Sequence, residues 1–136
     1  MIVEAAAQLG VKKVRLTGGE PLVRRGIVDL TRMISAVDGI EEVVMTTNAT
    51  LLAPLAKDLK AAGLSRLNIS LDTLDPKRYA RLSRTGTLAD ALAGIAAARE
   101  AGFTHTKFNA VLLGGLNEDE IRPLAERAKS EPVDVR

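Results

Sequence analysis

The sequence predicts an α/β fold in which parallel strands form a wall with helices on its outer face only, a fragment of an incomplete (β/α) barrel. Four short apolar runs, residues 11–17, 42–47, 66–71 and 106–113, alternate with helical patterns, and such alternation implies right-handed βαβ units and a parallel sheet. Each run keeps its polar residues on one parity: Arg15 and Thr17; Thr46 and Asn48; Asn68, Ser70 and Asp72; Lys107 and Asn109. A doubly wound sheet would bury these groups without partners, at roughly 1 to 3 kcal/mol each. A barrel wall turns them instead to a cavity near the strand C-termini. The length, 136 residues, falls short of the about 250 that close an eight-stranded barrel.

The elements follow in order. Residues 2–9 read as the last turns of a helix, and Gly10 precedes the first strand. Ile27, Leu30, Ile34 and Val37, at spacings of three and four, mark the crossover that ends at Gly39. After the second strand Thr50 marks a helix start, with Leu52, Leu55, Ala56 and Leu59 on its buried stripe and Gly63 beyond it. Asp75 with Pro76, and Thr87 with Asp90, open two further helices. The second of these carries Leu88, Leu92, Ile95 and Ala98 and ends before Gly102. Asn117 with Glu120 marks the last helix start, and Pro123 falls in that helix's first turn. Residues 133–136 look like a strand that stops after its first residues. About four βα units, broken within elements at either end, make 1–136 the expected central part of one barrel domain, truncated at both ends. Edges left unpaired at 11–17 and 106–113 favour a homo-oligomer.

Composition narrows the function. Hydrophobic residues at 46% and charged residues at 26% suit a packed domain rather than a disordered chain. Aromatics at 2% leave no stacking platform for single-stranded nucleic acid, and a net charge of +2 is too small for a polyanion-binding field. No nucleic-acid partner is expected. The absence of Cys excludes disulfides and any iron–sulfur cluster held by this chain alone. The N-terminus has no basic region and no apolar run approaches 18 residues, so neither a signal peptide nor a membrane span is expected, and the location is cytoplasmic.

Several residues can carry chemistry. Gly18-Gly19-Glu20-Pro21, directly after the first strand, lets backbone approach a ligand, although an ordinary strand-to-helix turn reads the same way. Arg15, on the polar parity, can hold phosphate or carboxylate in a bidentate contact, or stand as a surface arginine. Lys107 on the same parity needs an anion or acts as an amine nucleophile, which keeps a Schiff-base aldolase in view. Thr46, Asn48, Asn68 and Ser70 offer neutral hydrogen bonds to a ribose, a carboxylate or a base edge, or to neighbouring loops. His105, the lone histidine, fits a solvated strand start, and Arg24-Arg25 a solvated loop.

Five segments taken together carry a resemblance: residues 14–22 (Val-Arg-Leu-Thr-Gly-Gly-Glu-Pro-Leu), 46–49 (Thr-Thr-Asn-Ala), 67–72 (Leu-Asn-Ile-Ser-Leu-Asp), 107–111 (Lys-Phe-Asn-Ala-Val) and 115–121 (Gly-Leu-Asn-Glu-Asp-Glu-Ile). In this order they closely resemble the GTP 3′,8-cyclase family of molybdenum cofactor (molybdopterin) biosynthesis, within the radical S-adenosylmethionine (radical SAM) superfamily. The resemblance implies a partial (β/α)6 barrel binding S-adenosylmethionine and GTP at its mouth. By position, Gly18, Gly19 and Glu20 would offer backbone groups to S-adenosylmethionine, and Asn48 and Ser70 would hold other polar parts of it. Arg15, Thr46 and Lys107 would contact GTP. No residue is assigned a catalytic or metal-binding role. The family converts GTP to (8S)-3′,8-cyclo-7,8-dihydroguanosine 5′-triphosphate with two 4Fe-4S clusters, making it a lyase. The chain lacks the cysteines that ligate those clusters in the family, so alone it is expected to be inactive. The alternatives are a non-catalytic nucleotide-binding module, another radical SAM enzyme, and the Lys107 aldolase.

Overall fold

The computed structural model describes residues 2–83, 85–130 and 133–136. Six helices alternate with five strands: α1 (Ile2–Gln8), β1 (Lys13–Leu16), α2 (Ile27–Ser35), β2 (Glu42–Thr47), α3 (Ala56–Ala61), β3 (Arg66–Ser70), α4 (Pro76–Leu82), α5 (Leu88–Glu100), β4 (Thr106–Asn109), α6 (Ile121–Ser130) and β5 (Val133–Val135). The strands form one sheet in chain order, every neighbouring pair parallel.

Parity separates the two faces. Val43, Met45, Leu67, Ile69 and Phe108 join helix residues such as Ile27, Ile34, Leu59, Leu88, Ile95 and Leu124 in one apolar cluster. Val44 is fully buried yet stands outside that cluster, on the opposite parity, between Arg15 and Arg66 in the strand register. The helices therefore pack against one face, and the polar parity forms the other. Across it the register sets Thr46 beside Asn68, Asn68 beside Lys107 and Lys107 beside Asp134.

Several expectations need correction. The strand expected at 133–136 is present as β5 and pairs with β4, so 106–113 is not an open edge, and β1 and β5 are the outer strands of the described sheet. Residues 110–113 leave the sheet, although the Ala110 amide still donates to the Arg136 carbonyl. Thr50 does not start a helix. Its amide and hydroxyl both donate to Asn48 Oδ1, which holds a local turn, and α3 begins only after Pro54, at Ala56.

The other helix starts stand where local chemistry requires. Asp75 accepts from the Arg78 amide ahead of Pro76, and Thr87 and Asp90 form a reciprocal capping box. Pro123 is tolerated because it sits in the first turn of α6, where a backbone N–H has no helical acceptor. Among the described residues no helix is long and apolar enough to cross a membrane.

Candidate functional site

The carboxyl ends of β1, β2 and β3 converge on two adjoining cavities. The larger, about 470 Å³, is bordered by Gly19, Asn48, Ser70, Asp72, Thr73 and Tyr79. The smaller, about 220 Å³, lies against Thr17, Gly18 and Thr46 and shares Gly19, Glu20, Asn48 and Ser70 with the first. Another cavity of about 220 Å³ opens on the helix side among Leu92, Phe103 and Val133 and holds none of the candidate site residues.

Glu20 builds the shared corner. Its Oε1 accepts from the Leu22 amide at 3.1 Å and from the Thr47 hydroxyl at 2.6 Å, and its Oε2 accepts from the Asn48 amide at 2.8 Å. The carboxylate thereby joins the loop after β1 to the end of β2. With the side chain engaged in this way, the loop presents its backbone to the cavity. Gly18 has φ +153°, a conformation that L side chains rarely adopt, and a Cβ on Gly19 would meet nothing within 4 Å. The absent side chains leave the backbone open to a bound group.

Beside this corner Ala49 adopts φ 63° while fully buried. A non-glycine residue in the left-handed region is strained, and such strain persists where the surroundings over-determine it. The Ala49 amide donates to Thr47 Oγ1, and α5 packs against its carbonyl: a Cβ on Gly94 would lie 2.2 Å from that oxygen. Only a glycine lets the helix approach so closely.

The far wall of the larger cavity is held by residues whose role the sequence reading did not see. Asn117 and Glu120 stand where the last helix begins, as expected, Asn117 just ahead of a 3-10 turn (Glu118–Glu120) that runs into α6, but their side chains clamp loops. Asn117 makes no capping hydrogen bond. Its Nδ2 donates to the carbonyls of Asp72 and Val111 at 2.7 and 2.9 Å, and its Oδ1 accepts from the Leu113 amide at 2.7 Å. Glu120, buried, accepts from the Thr73 hydroxyl, the Leu74 amide and the Arg78 guanidinium. Arg78 reaches Asp119 as well and holds its carboxyl below the usual range. The clustering of Asn, Asp and Glu in 117–120 is the one sequence signal for this clamp, and it is ambiguous because the same residue types cap helices. Burial pushes the Tyr79 phenol up at the same wall.

The candidate substrate residues lie on the polar face. Thr46 is half-buried and occupies the row of Asn68 and Lys107. Arg15 is exposed on the outer strand β1, level with Val44 and one row away. Lys107 has an anion after all, the Asp134 carboxylate at 3.0 Å, and through that hydrogen bond it holds Asp134 below the ordinary carboxylate range. The sequence reading missed this pairing because it left 133–136 without a neighbour. Farther from the loops, Glu42 joins Lys13 at 2.6 Å and Arg66 at 2.8 Å. The hydrogen bond from Lys13 depresses the Glu42 carboxyl, and the charges of Arg66 and Arg15 add to that. His105 is exposed immediately before β4, as a solvated strand start should be. Among the described residues no three His, Cys, Asp or Glu side chains group to hold a metal ion.

Curated GTP 3′,8-cyclases are similar to the chain: that of Peptoclostridium acidaminophilum is 48% identical over 132 residues, covering 97% of this chain and 41% of the relative. That of Pseudomonas entomophila (strain L48) is 52% identical over 134 residues, covering 98% and 40%. The chain thus spans about two fifths of the length of the curated relatives it matches. In fold it is similar to the crystal structure of HydG, a maturase of the FeFe hydrogenase, with a TM-score of 0.69, 21% identity, and coverage of 98% of this chain and 34% of that one. The family model described as the Radical SAM superfamily matches residues 1–128. That match runs through β1 to β4 and through every loop bordering the two cavities, and on it the chain belongs to the radical SAM superfamily.

Proposed function

We propose that residues 1–136 are the central part of a partial-barrel domain in a cytoplasmic GTP 3′,8-cyclase, supplying the surfaces that hold S-adenosylmethionine and GTP for molybdenum cofactor biosynthesis. The observation that carries this reading is the division of the polar face. Open backbone, hydroxyls and a carboxamide, with the Glu20 carboxylate tied into the loops, surround the glycine corner, whereas Arg15 and Lys107 lie along the strands beside it. S-adenosylmethionine, bearing an ammonium, a carboxylate and ribose hydroxyls, suits Gly18, Gly19 and the Glu20 backbone together with Asn48 and Ser70. A triphosphate suits Arg15 and Lys107, with Thr46 between them.

The residues fit S-adenosylmethionine, whose reductive cleavage supplies the radical that abstracts hydrogen from the GTP ribose; this chain's own residues bind and orient. They do not fit the clusters. With no Cys in the sequence and no metal-ligating group among the described residues, the cluster ligands belong to sequence outside this segment.

Calorimetry of the chain with each ligand tests the reading. Binding of GTP and of S-adenosylmethionine at separate sites, neither displacing the other, is the expected result. Mutual displacement would contradict the division of the face.

A further inference from the structure

The row between Thr46 and Lys107 contains a side chain that no hydrogen bond within the chain accounts for. Asn68 is only 7% exposed, and its Oδ1 is one of two buried side-chain polar atoms among the described residues without a hydrogen-bond partner in the chain. The other is Arg66 Nε, two residues earlier on the same face of β3. Buried polar atoms are paired in the great majority of cases, so each exception calls for an explanation. Asn117, buried like Asn68, shows what a structural asparagine does here: both ends of its carboxamide are bonded. Strand geometry does not explain Asn68 either, because Asn is a poor strand former where Val or Thr would serve.

Its neighbours point to a ligand. Thr46 on β2 and Lys107 on β4 flank it in register, and Thr46 and Ser70 line the smaller cavity. A carbonyl oxygen repels phosphate and carboxylate oxygens and selects an O–H or N–H donor. The surrounding cations, Arg15, Arg66 and Lys107, select the opposite. A nucleotide carries both kinds of group, its phosphates as acceptors and its sugar hydroxyls and base N–H groups as donors.

Resting on the reading of this face as a nucleotide site, we infer that Asn68 is a substrate-binding residue whose Oδ1 accepts a hydrogen bond from a donor on the nucleoside end of GTP, the 2′-OH, the 3′-OH or the guanine 2-amino group. Asn68 then discriminates between nucleosides, while Arg15 and Lys107 hold the phosphates common to all of them. A site built around such an acceptor rejects an analogue lacking the donor.

The test is calorimetry of the chain with GTP, 2′-deoxy-GTP, 3′-deoxy-GTP and inosine 5′-triphosphate, for the native sequence, Asn68→Ala and Asn68→Asp. Asn68→Ala should weaken GTP binding about tenfold. One analogue, the one missing the bonded donor, should bind the native chain weakly and lose nothing further in Asn68→Ala. Asn68→Asp, which keeps an acceptor, should retain the discrimination, and it carries the comparison if Asn68→Ala does not fold by circular dichroism. An equal loss for all four nucleotides, or GTP binding unchanged in Asn68→Ala, overturns the inference alone. Binding of none of the four by the native chain overturns the nucleotide-site reading and the inference with it.

Discussion

Single residues divide the polar face by charge. Lys107→Ala should weaken GTP binding by roughly 1.5 to 3 kcal/mol, the range for a lost charge-assisted hydrogen bond, and leave S-adenosylmethionine binding nearly unchanged. Ser70→Ala should weaken S-adenosylmethionine binding by roughly 0.5 to 1.5 kcal/mol, as a neutral hydrogen bond does, with little effect on GTP; calorimetry with each ligand separately checks both. Ion pairs and one helix cap also set a pH dependence. Glu42, Asp90, Asp119 and Asp134 all have depressed carboxyls, held down by Lys13, Thr87, Arg78 and Lys107 respectively. A depressed carboxyl contributes stability that is complete above its unfolded pKa, about 4 for Asp and Glu, and is lost as pH falls through the folded value. Thermal melting temperatures should therefore hold from neutrality to about pH 5 and drop below about pH 4. Parity made Arg15, Thr46, Ser70 and Lys107 legible as one face from sequence, because side-chain direction alternates along any strand. The partners of Lys107 and Glu20 were not legible, since they depend on which strands lie side by side.

At the scale of elements the glycine punctuation was readable: Gly10, Gly39, Gly63 and Gly102 all take left-handed φ between helix and strand. Local caps were readable where one residue does the work, as at Asp75 and Thr87. Thr87→Ala should destabilise the fold by about 1 kcal/mol. Thr50 misled because the same residue types serve loops and helix starts; Asn117 and Glu120 do stand at a helix start, but that their side chains bond loops is decided only by the tertiary fold. Asn117→Ala removes one acceptor and two donors at once from a fully buried site. It should cost on the order of 2 to 3 kcal/mol in denaturant unfolding and expose the Leu113 amide, which donates to Asn117 Oδ1, to hydrogen exchange. An unaltered midpoint for Asn117→Ala would mean that the clamp holds nothing. Gly94→Ala meets the Ala49 carbonyl and should destabilise by about 1 to 3 kcal/mol through overpacking.

Seen whole, the molecule is a sheet with one face sealed by helices and the other left polar, and the chain spans about two fifths of its curated relatives. Incubated anaerobically with iron and sulfide, the isolated chain should take up no cluster absorbance and make no 5′-deoxyadenosine from S-adenosylmethionine, because carboxylates and one histidine cannot replace thiolate ligands. A stable cluster would refute that. The central claim is that these residues supply the cofactor and substrate surfaces of a GTP 3′,8-cyclase. The most direct measurement replaces the matching segment of the Pseudomonas entomophila relative with this chain and assays the cluster-loaded chimaera for the 3′,8-cyclised nucleotide. Turnover of GTP to that product, diminished by Lys107→Ala, is the result expected; a chimaera that carries its clusters and cleaves S-adenosylmethionine yet leaves GTP unchanged would contradict the claim.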